Sequence, residues 1–143
     1  MKYLLAFLLL ISSLANADTW IGASINSYHF DRSVKHQEQN WGWGVEQTLT
    51  PDISFILGSY NNSIFKRSHY IGVEYLPLKY NDIKFGVIAG AVDGYEVNGG
   101  KYSPMVIPVI EYEYEVFGFN LLLVPPVGRA SGIIGLQVKL KVF

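Results

Sequence analysis

The 143 residues carry a formal charge of −1, from 11 basic and 12 acidic side chains, with three histidines and no cysteine. This excludes a disulfide-stapled fold and a cysteine metal centre, and the charge balance argues against nucleic acid as a partner. Half of the residues are apolar and 15% are aromatic, a mixture that suits β structure.

The chain opens MKYLLAFLLLISSLANA: one early Lys2, an apolar run from about Leu4 to Ile11, and a small-residue ending at Ala15 to Ala17. This reads as a secretory signal peptide over residues 1–17, too short to be a spanning helix; an uncleaved N-terminal anchor is the alternative. Residues 18–143 then form a single domain. No later stretch offers 18 consecutive apolar residues, so a helical membrane span is excluded there.

From Trp20 onward the pattern is about ten strand-like residues, then a turn cluster, repeated roughly every 16 residues. The strands are expected at 20–30, 40–49, 53–61, 68–78, 83–93, 103–113, 117–125 and 132–143. Connections at 49–53, 79–82 and 114–116 are short, while those at 31–39, 62–67, 94–102 and 126–131 are longer. An even strand number with short turns at one end and long loops at the other is the asymmetry of an outer-membrane barrel.

Alternation agrees. Strand two sets Trp41, Trp43 and Val45 against Gly42, Gly44 and Glu46. Strand four sets Ile71, Val73 and Tyr75 against Gly72 and Glu74, and strand eight sets Leu136, Val138 and Leu140 against Gln137, Lys139 and Lys141. The apolar faces fit lipid and the glycine-and-charge faces fit a narrow lumen. A soluble lipocalin-like barrel shows the same period with the faces exchanged, but this polar face is too small for a dry core. The terminal Phe143, common in outer-membrane barrels, falls on the face of Lys139 and Lys141. The expected fold is therefore all-β: an eight-stranded antiparallel up-and-down transmembrane β-barrel, monomeric, in the cell outer membrane. Arg32, Gly42, Gly44 and Glu46 are read together as a buried structural pair: Glu46, inward and flanked by glycines, invites a long Arg or Lys from across the lumen.

The candidate chemistry is sparse. His29, His36 and His69 have no metal-binding spacing, so neither metal nor cofactor is expected. His29 ends strand one, where the alternation is disturbed; a bulge there leaves its direction open. Asn61, Asn62 and Ser63 form an ordinary turn cluster by composition. Arg32, Lys35, Lys66, Arg67, Lys101 and Arg129 fall in the long loops. They serve solubility or meet lipopolysaccharide phosphates.

Prolines supply the sharper signal. Pro104 and Pro108 interrupt strand six and Pro125 and Pro126 end strand seven, all near the same end of neighbouring strands. Terminating prolines are ordinary, but Pro108 has strand on both sides. Proline removes donors that a gap in the wall would leave unpaired in hydrocarbon. The expectation is a lateral opening for a lipid chain at the outer end of this seam. Behind it Ile88, Met105, Ile107, Val109, Leu122 and Val124 point inward above a polar plug, as an acyl-chain pocket or a small hydrophobic core.

His29, the stretch NWGWG at 40–44, YNNS at 60–63, FGFNLLLVPP at 117–126 and the terminal Phe143 occur in the order found in the PagP family, which the chain resembles over nearly all of its mature length. That family comprises outer-membrane lipid A palmitoyltransferases. The resemblance implies an acyl chain moving from phospholipid to lipid A, with Pro108 and Pro125 flanking a lateral opening and the inward apolar residues holding the chain. It implies His29 as catalytic histidine and Ser63 as catalytic serine. Asn62 stands where the family has Asp, and an amide cannot act as a carboxylate base; Asp31 is the nearest substitute in sequence. The family's N-terminal amphipathic helix has no counterpart before strand one. Membrane lipid, as phospholipid and lipopolysaccharide, is the implied partner. The alternative is a non-catalytic barrel that binds lipid or modifies the cell surface.

Overall fold

The computed structural model describes residues 17–126 and 131–143. The expected signal peptide, apart from Ala17, and the loop cation Arg129 lie outside the described residues. Eight strands follow: β1 (Thr19–His29), β2 (Gly42–Thr50), β3 (Ile53–Asn61), β4 (Arg67–Tyr80), β5 (Ile83–Val92), β6 (Ser103–Tyr114), β7 (Phe117–Val124) and β8 (Ile133–Lys141). Each pairs antiparallel with the next, and β8 returns to β1 to close the barrel. The expected fold is observed, with strand bounds within about two residues of those read from the alternation.

Three connections are two residues long: Pro51 and Asp52, Asn81 and Asp82, Glu115 and Val116. Asn81 and Glu115 take positive φ there, which asparagine tolerates better than most residues. Three long connections and the loop after β7 lie at the opposite end, hereafter the loop end. The single helical turn among the described residues, Val97–Gly100, belongs to one of them, and no helix there is long and apolar enough to cross a membrane.

The outer surface is apolar. Ile21, Trp43, Ile71, Val73, Leu121, Leu136 and Leu140 are all substantially exposed on it. Tyr28, Phe30 and Trp41 lie toward the loop end, and Tyr80, Tyr114 and Phe117 toward the turn end. An apolar wall between two aromatic belts is the surface of a transmembrane barrel.

Inside, the two halves differ. Toward the turn end Lys139 Nζ reaches both Glu46 oxygens at 3.0 and 2.9 Å, Glu113 at 3.1 Å and, in a short contact, Glu111. Lys84 Nζ bridges Glu111 and Glu113 at 2.9 and 2.5 Å. The long cation opposite Glu46 is thus Lys139 and not Arg32, which is exposed and pairs with Glu38 in the loop after β1. The Lys139 ammonium also lies 4.7 Å from the Trp20 ring centroid. Oxygens of Glu46, Glu111 and Glu113 lie within 4.8 Å of one another, but the lysine already fills the space between them. Burying charges is tolerable here because each ammonium meets several carboxylates. Beside this network, around the middle of the barrel, Ile56, Leu76, Ile88 and Val109 form an apolar cluster, with Tyr70, Met105, Ile107 and Leu122 against it. Leu76 reaches toward the turn end, where its N–H bonds the Asp52 carbonyl. Gly44 and Gly58 face this level because the Tyr70 phenol lies where their Cβ atoms would be.

Candidate functional site: a chamber beneath a histidine pair

A cavity of about 150 Å³ runs from the loop end down to the charged network. Its apolar walls include Ile88, Met105, Ile107, Leu122 and Val124, five of the positions expected to line it. Val109 is buried in the cluster with Ile88 rather than at the cavity wall. Pro108 and Pro125 are exposed on the outside of the seam rather than in the chamber.

His29 reaches the chamber because of one extra residue. β1 pairs Ser24 with Gln137 and Asn26 with Leu136, leaving Ile25 unmatched in a bulge. The bulge reverses the phase of the strand, so His29, which strict alternation from Trp20 would point at lipid, turns inward. It is 1% exposed. Neither ring nitrogen has a hydrogen-bond partner among the described residues. Its ring stacks on His36 with centroids 4.1 Å apart and planes at 5°.

The carboxylate beside His29 is Glu38. Its Oε1 lies 3.7 Å from His29 Nδ1, accepts the His29 backbone N–H at 3.2 Å, and receives the Arg32 guanidinium. The His29 N–H holds the Glu38 carboxyl below the usual carboxylate range against partial desolvation, and Arg32 adds to the effect. Asp31, the sequence-based substitute, is turned away: its Oδ1 accepts the Ser33 N–H at 2.8 Å.

Ser63 lines the chamber mouth with Tyr60 and Tyr95, whose hydroxyls are 3.0 Å apart. The Ser63 carbonyl accepts the Gln37 N–H at 2.9 Å, which ties the turn after β3 to the loop carrying His36. Asn62 is fully buried, and its side chain builds the turn. Nδ2 donates to Ser68 Oγ and the Gly94 carbonyl, both at 3.0 Å; Oδ1 accepts from the Ile64 and Lys66 N–H groups. Its amide is committed to holding backbone, and Gly94, at φ 83°, supplies one of the carbonyls.

The wall beside the chamber is incomplete. β6 pairs with β5 as far as Ser103, and β7 pairs with β8 as far as Val124. Between β6 and β7 the ladder stops at Val109 opposite Leu122. The donors explain where it stops. Glu113 N–H bonds Asp82 on the β5 side, so even-numbered residues of β6 direct N–H and C=O toward β7. Continued in register, the next two hydrogen-bonding pairs would be Pro108 with Leu123 and Val106 with Pro125. Each contains one proline, so neither can exchange both bonds. The prolines also leave Val106 as the sole N–H donor among positions 104, 106 and 108 facing the gap. A second short seam joins β1 to β2, where continuous pairing covers only Thr19 to Gly22 and a lone bridge, Asn26 with Gln39, follows.

No protein-family model matches the chain, and no curated protein matches it. Solved structures do. A de novo designed barrel, TMB2.3, determined by solution NMR, superposes with a TM-score of 0.61 at 13% identity, over 89% of this chain and 94% of that one. The N-terminal β-barrel domain of Pseudomonas aeruginosa OprF gives a TM-score of 0.53 at 16% identity, over 87% and 97%. At such identities the likeness concerns architecture: this is a closed eight-stranded antiparallel barrel of the kind that transmembrane β-barrels have.

Glu38, His36, Tyr95 and Glu74 were not singled out from the sequence as site residues. The first two lie in an irregular loop, and only the bulge at Ile25 brings His29 under them. Glu74 was visible as an inward acid, but its isolation from both lysines depends on three-dimensional reach.

Proposed function

We propose that this barrel, resident in the outer membrane with its loop end outward, admits a hydrocarbon chain of a membrane lipid through the β6–β7 gap into the interior chamber. The observation that carries the reading is the coincidence of that gap with an apolar cavity whose mouth holds His29, buried, with neither ring nitrogen hydrogen-bonded among the described residues and Glu38 Oε1 3.7 Å from Nδ1. A chain lying in the cavity would leave its ester near that mouth. The activity that fits, and that the resemblance to PagP also suggests, is acyl transfer from phospholipid to lipid A. An acceptor hydroxyl attacks the ester carbonyl, the acceptor O–acyl bond forms and the glycerol O–acyl bond breaks. His29 takes the proton of the attacking hydroxyl and returns it to the departing glycerol oxygen. Ser63 supports the attacking oxygen or the ester carbonyl from the mouth.

A second reading rests on Asn62: with its amide committed to the turn, it cannot assist His29, and the barrel holds a lipid chain without transferring it. Mass spectrometry of lipid A from cells expressing the wild-type chain or His29→Ala separates the two. An added acyl chain with the wild type alone establishes transfer. Unmodified lipid A, with both proteins found in the outer membrane, removes it and leaves the lipid-holding barrel.

A further inference from the structure

The floor of the chamber is not apolar. Glu74 lies six positions along β4 from Ser68 at the rim, about 20 Å of strand. It is 1% exposed and lines the cavity, and neither carboxyl oxygen has a hydrogen-bond partner among the described residues. Its strand neighbours at the same level are Ser54 and Ile88. The two interior ammoniums, Lys84 and Lys139, are engaged with Glu46, Glu111 and Glu113, and neither forms an ion pair with Glu74. A buried polar group without a partner costs on the order of 1–3 kcal/mol, more if charged. A chamber built only for a plain hydrocarbon end has no use for one.

We propose that Glu74 is a ligand-recognition group: the chamber selects a chain carrying a hydroxyl remote from its head, and that hydroxyl donates to Glu74. This rests on the reading of the cavity as a chain-binding chamber and names the class of chain. A carboxyl group accepts a hydrogen bond in either protonation state. A hydroxyl crosses the Ile56 and Met105 level at a desolvation cost of a few kcal/mol, whereas an ammonium would pass at many times that. Hydroxylated chains are therefore favoured over aminated ones.

The test uses the full-length protein purified from membranes into phosphatidylcholine nanodiscs, with displacement of a fluorescent polyene fatty acid as readout. Dodecanoate, ω-hydroxydodecanoate and ω-aminododecanoate are compared, each with shorter and longer homologues. The expected result is about tenfold tighter binding of the hydroxylated chain at one best length. Glu74→Leu should abolish the preference while retaining binding of the plain chain. Glu74→Gln, which keeps an acceptor and the side-chain volume, should preserve most of it. Equal affinity for plain and hydroxylated chains overturns the proposal and leaves the chamber reading standing. So does a preference that survives Glu74→Leu, or tightest binding of the aminated chain. Failure of every chain to displace the probe overturns both. If Glu74→Leu does not fold, the wild-type comparison and Glu74→Gln still decide.

Discussion

His29 and His36 stack face to face at the loop end of the chamber, with centroids 4.1 Å apart and planes at 5°. The contact adds to the hydrogen bonds of Gln37 with Ser63, of Glu38 with Ser27 and of Asn40 with Ile25, which tie the later part of the loop to the barrel, while residues 31–35 before His36 are exposed. Stacked rings contribute about 0.5–1.5 kcal/mol beyond the area they bury. His36→Ala should therefore lower stability to urea by about 1 kcal/mol, and His36→Phe should restore it. Loss of the boiled-versus-unboiled gel shift across a urea series measures this; an unchanged midpoint for His36→Ala would remove the stack as a structural element.

The proline argument makes a second, two-sided prediction. Pro108→Val combined with Pro125→Val supplies the missing donors, and the β6–β7 ladder should extend past Leu122. At about 1 kcal/mol per hydrogen bond the barrel gains about 1–2 kcal/mol. Entry of a fatty-acyl probe, followed by stopped-flow fluorescence, should slow in the same variant. Faster or unchanged entry would mean that lipid chains do not use this seam.

Lys139 concerns stability alone. Lys139→Met leaves Glu46, Glu111 and Glu113 buried with only Lys84 near two of them. Breaking a buried ion pair from one side costs about 3–5 kcal/mol. A lowered urea midpoint of that size is expected, with partial recovery when Glu46→Leu is added. A variant as stable as wild type would show that the network contributes no net stability.

The loop over the mouth should loosen in acid. Glu38 has its folded-state pKa lowered, first by the His29 N–H and further by Arg32. Its contribution is therefore fully present above the unfolded carboxylate pKa and is lost as pH falls through the folded value. Hydrogen exchange at the His29 amide, corrected for the intrinsic pH dependence of exchange, should speed up below the ordinary glutamate range. Glu38→Gln should flatten that response. A corrected rate independent of pH in the wild type would refute the linkage.

The barrel was legible because each strand repeats one decision: apolar side chains on one face, glycine and charge on the other. Eight repetitions average out local irregularity, and a long cation opposite Glu46 could be anticipated from its flanking glycines, though not that it is Lys139 and not Arg32. The proline seam was legible for a related reason, since a missing donor is a property of the residue itself. His29 was not. A bulge inserts one residue without a compositional mark, and after Ile25 every inward or outward assignment in β1 reverses. The same holds at β4, where the register shifts between Tyr75 and Leu78, a stretch that includes Pro77. Loop residues such as Glu38 were hidden because nothing periodic constrains where 31–41 folds.

The two short seams divide the wall in a way that neither does alone. β2 through β6 are joined to one another by at least eight paired positions at each seam, as are β7 with β8 and β8 with β1. β6 and β7 share six, and β1 and β2 share four in a continuous run. Both short runs lie at the turn end. The ladder thus divides the cylinder into two curved plates, one of five strands and one of three, joined by strand pairing near the turns. Near the loops the β1–β2 seam is held instead by residues 38–40, bonded to Ile25, Ser27 and His29, so the β6–β7 seam is the one left without a ladder. If the chamber takes a lipid chain as proposed, parting at the β6–β7 seam is the motion that would widen it, and bilayer thickness and tension would then act on entry.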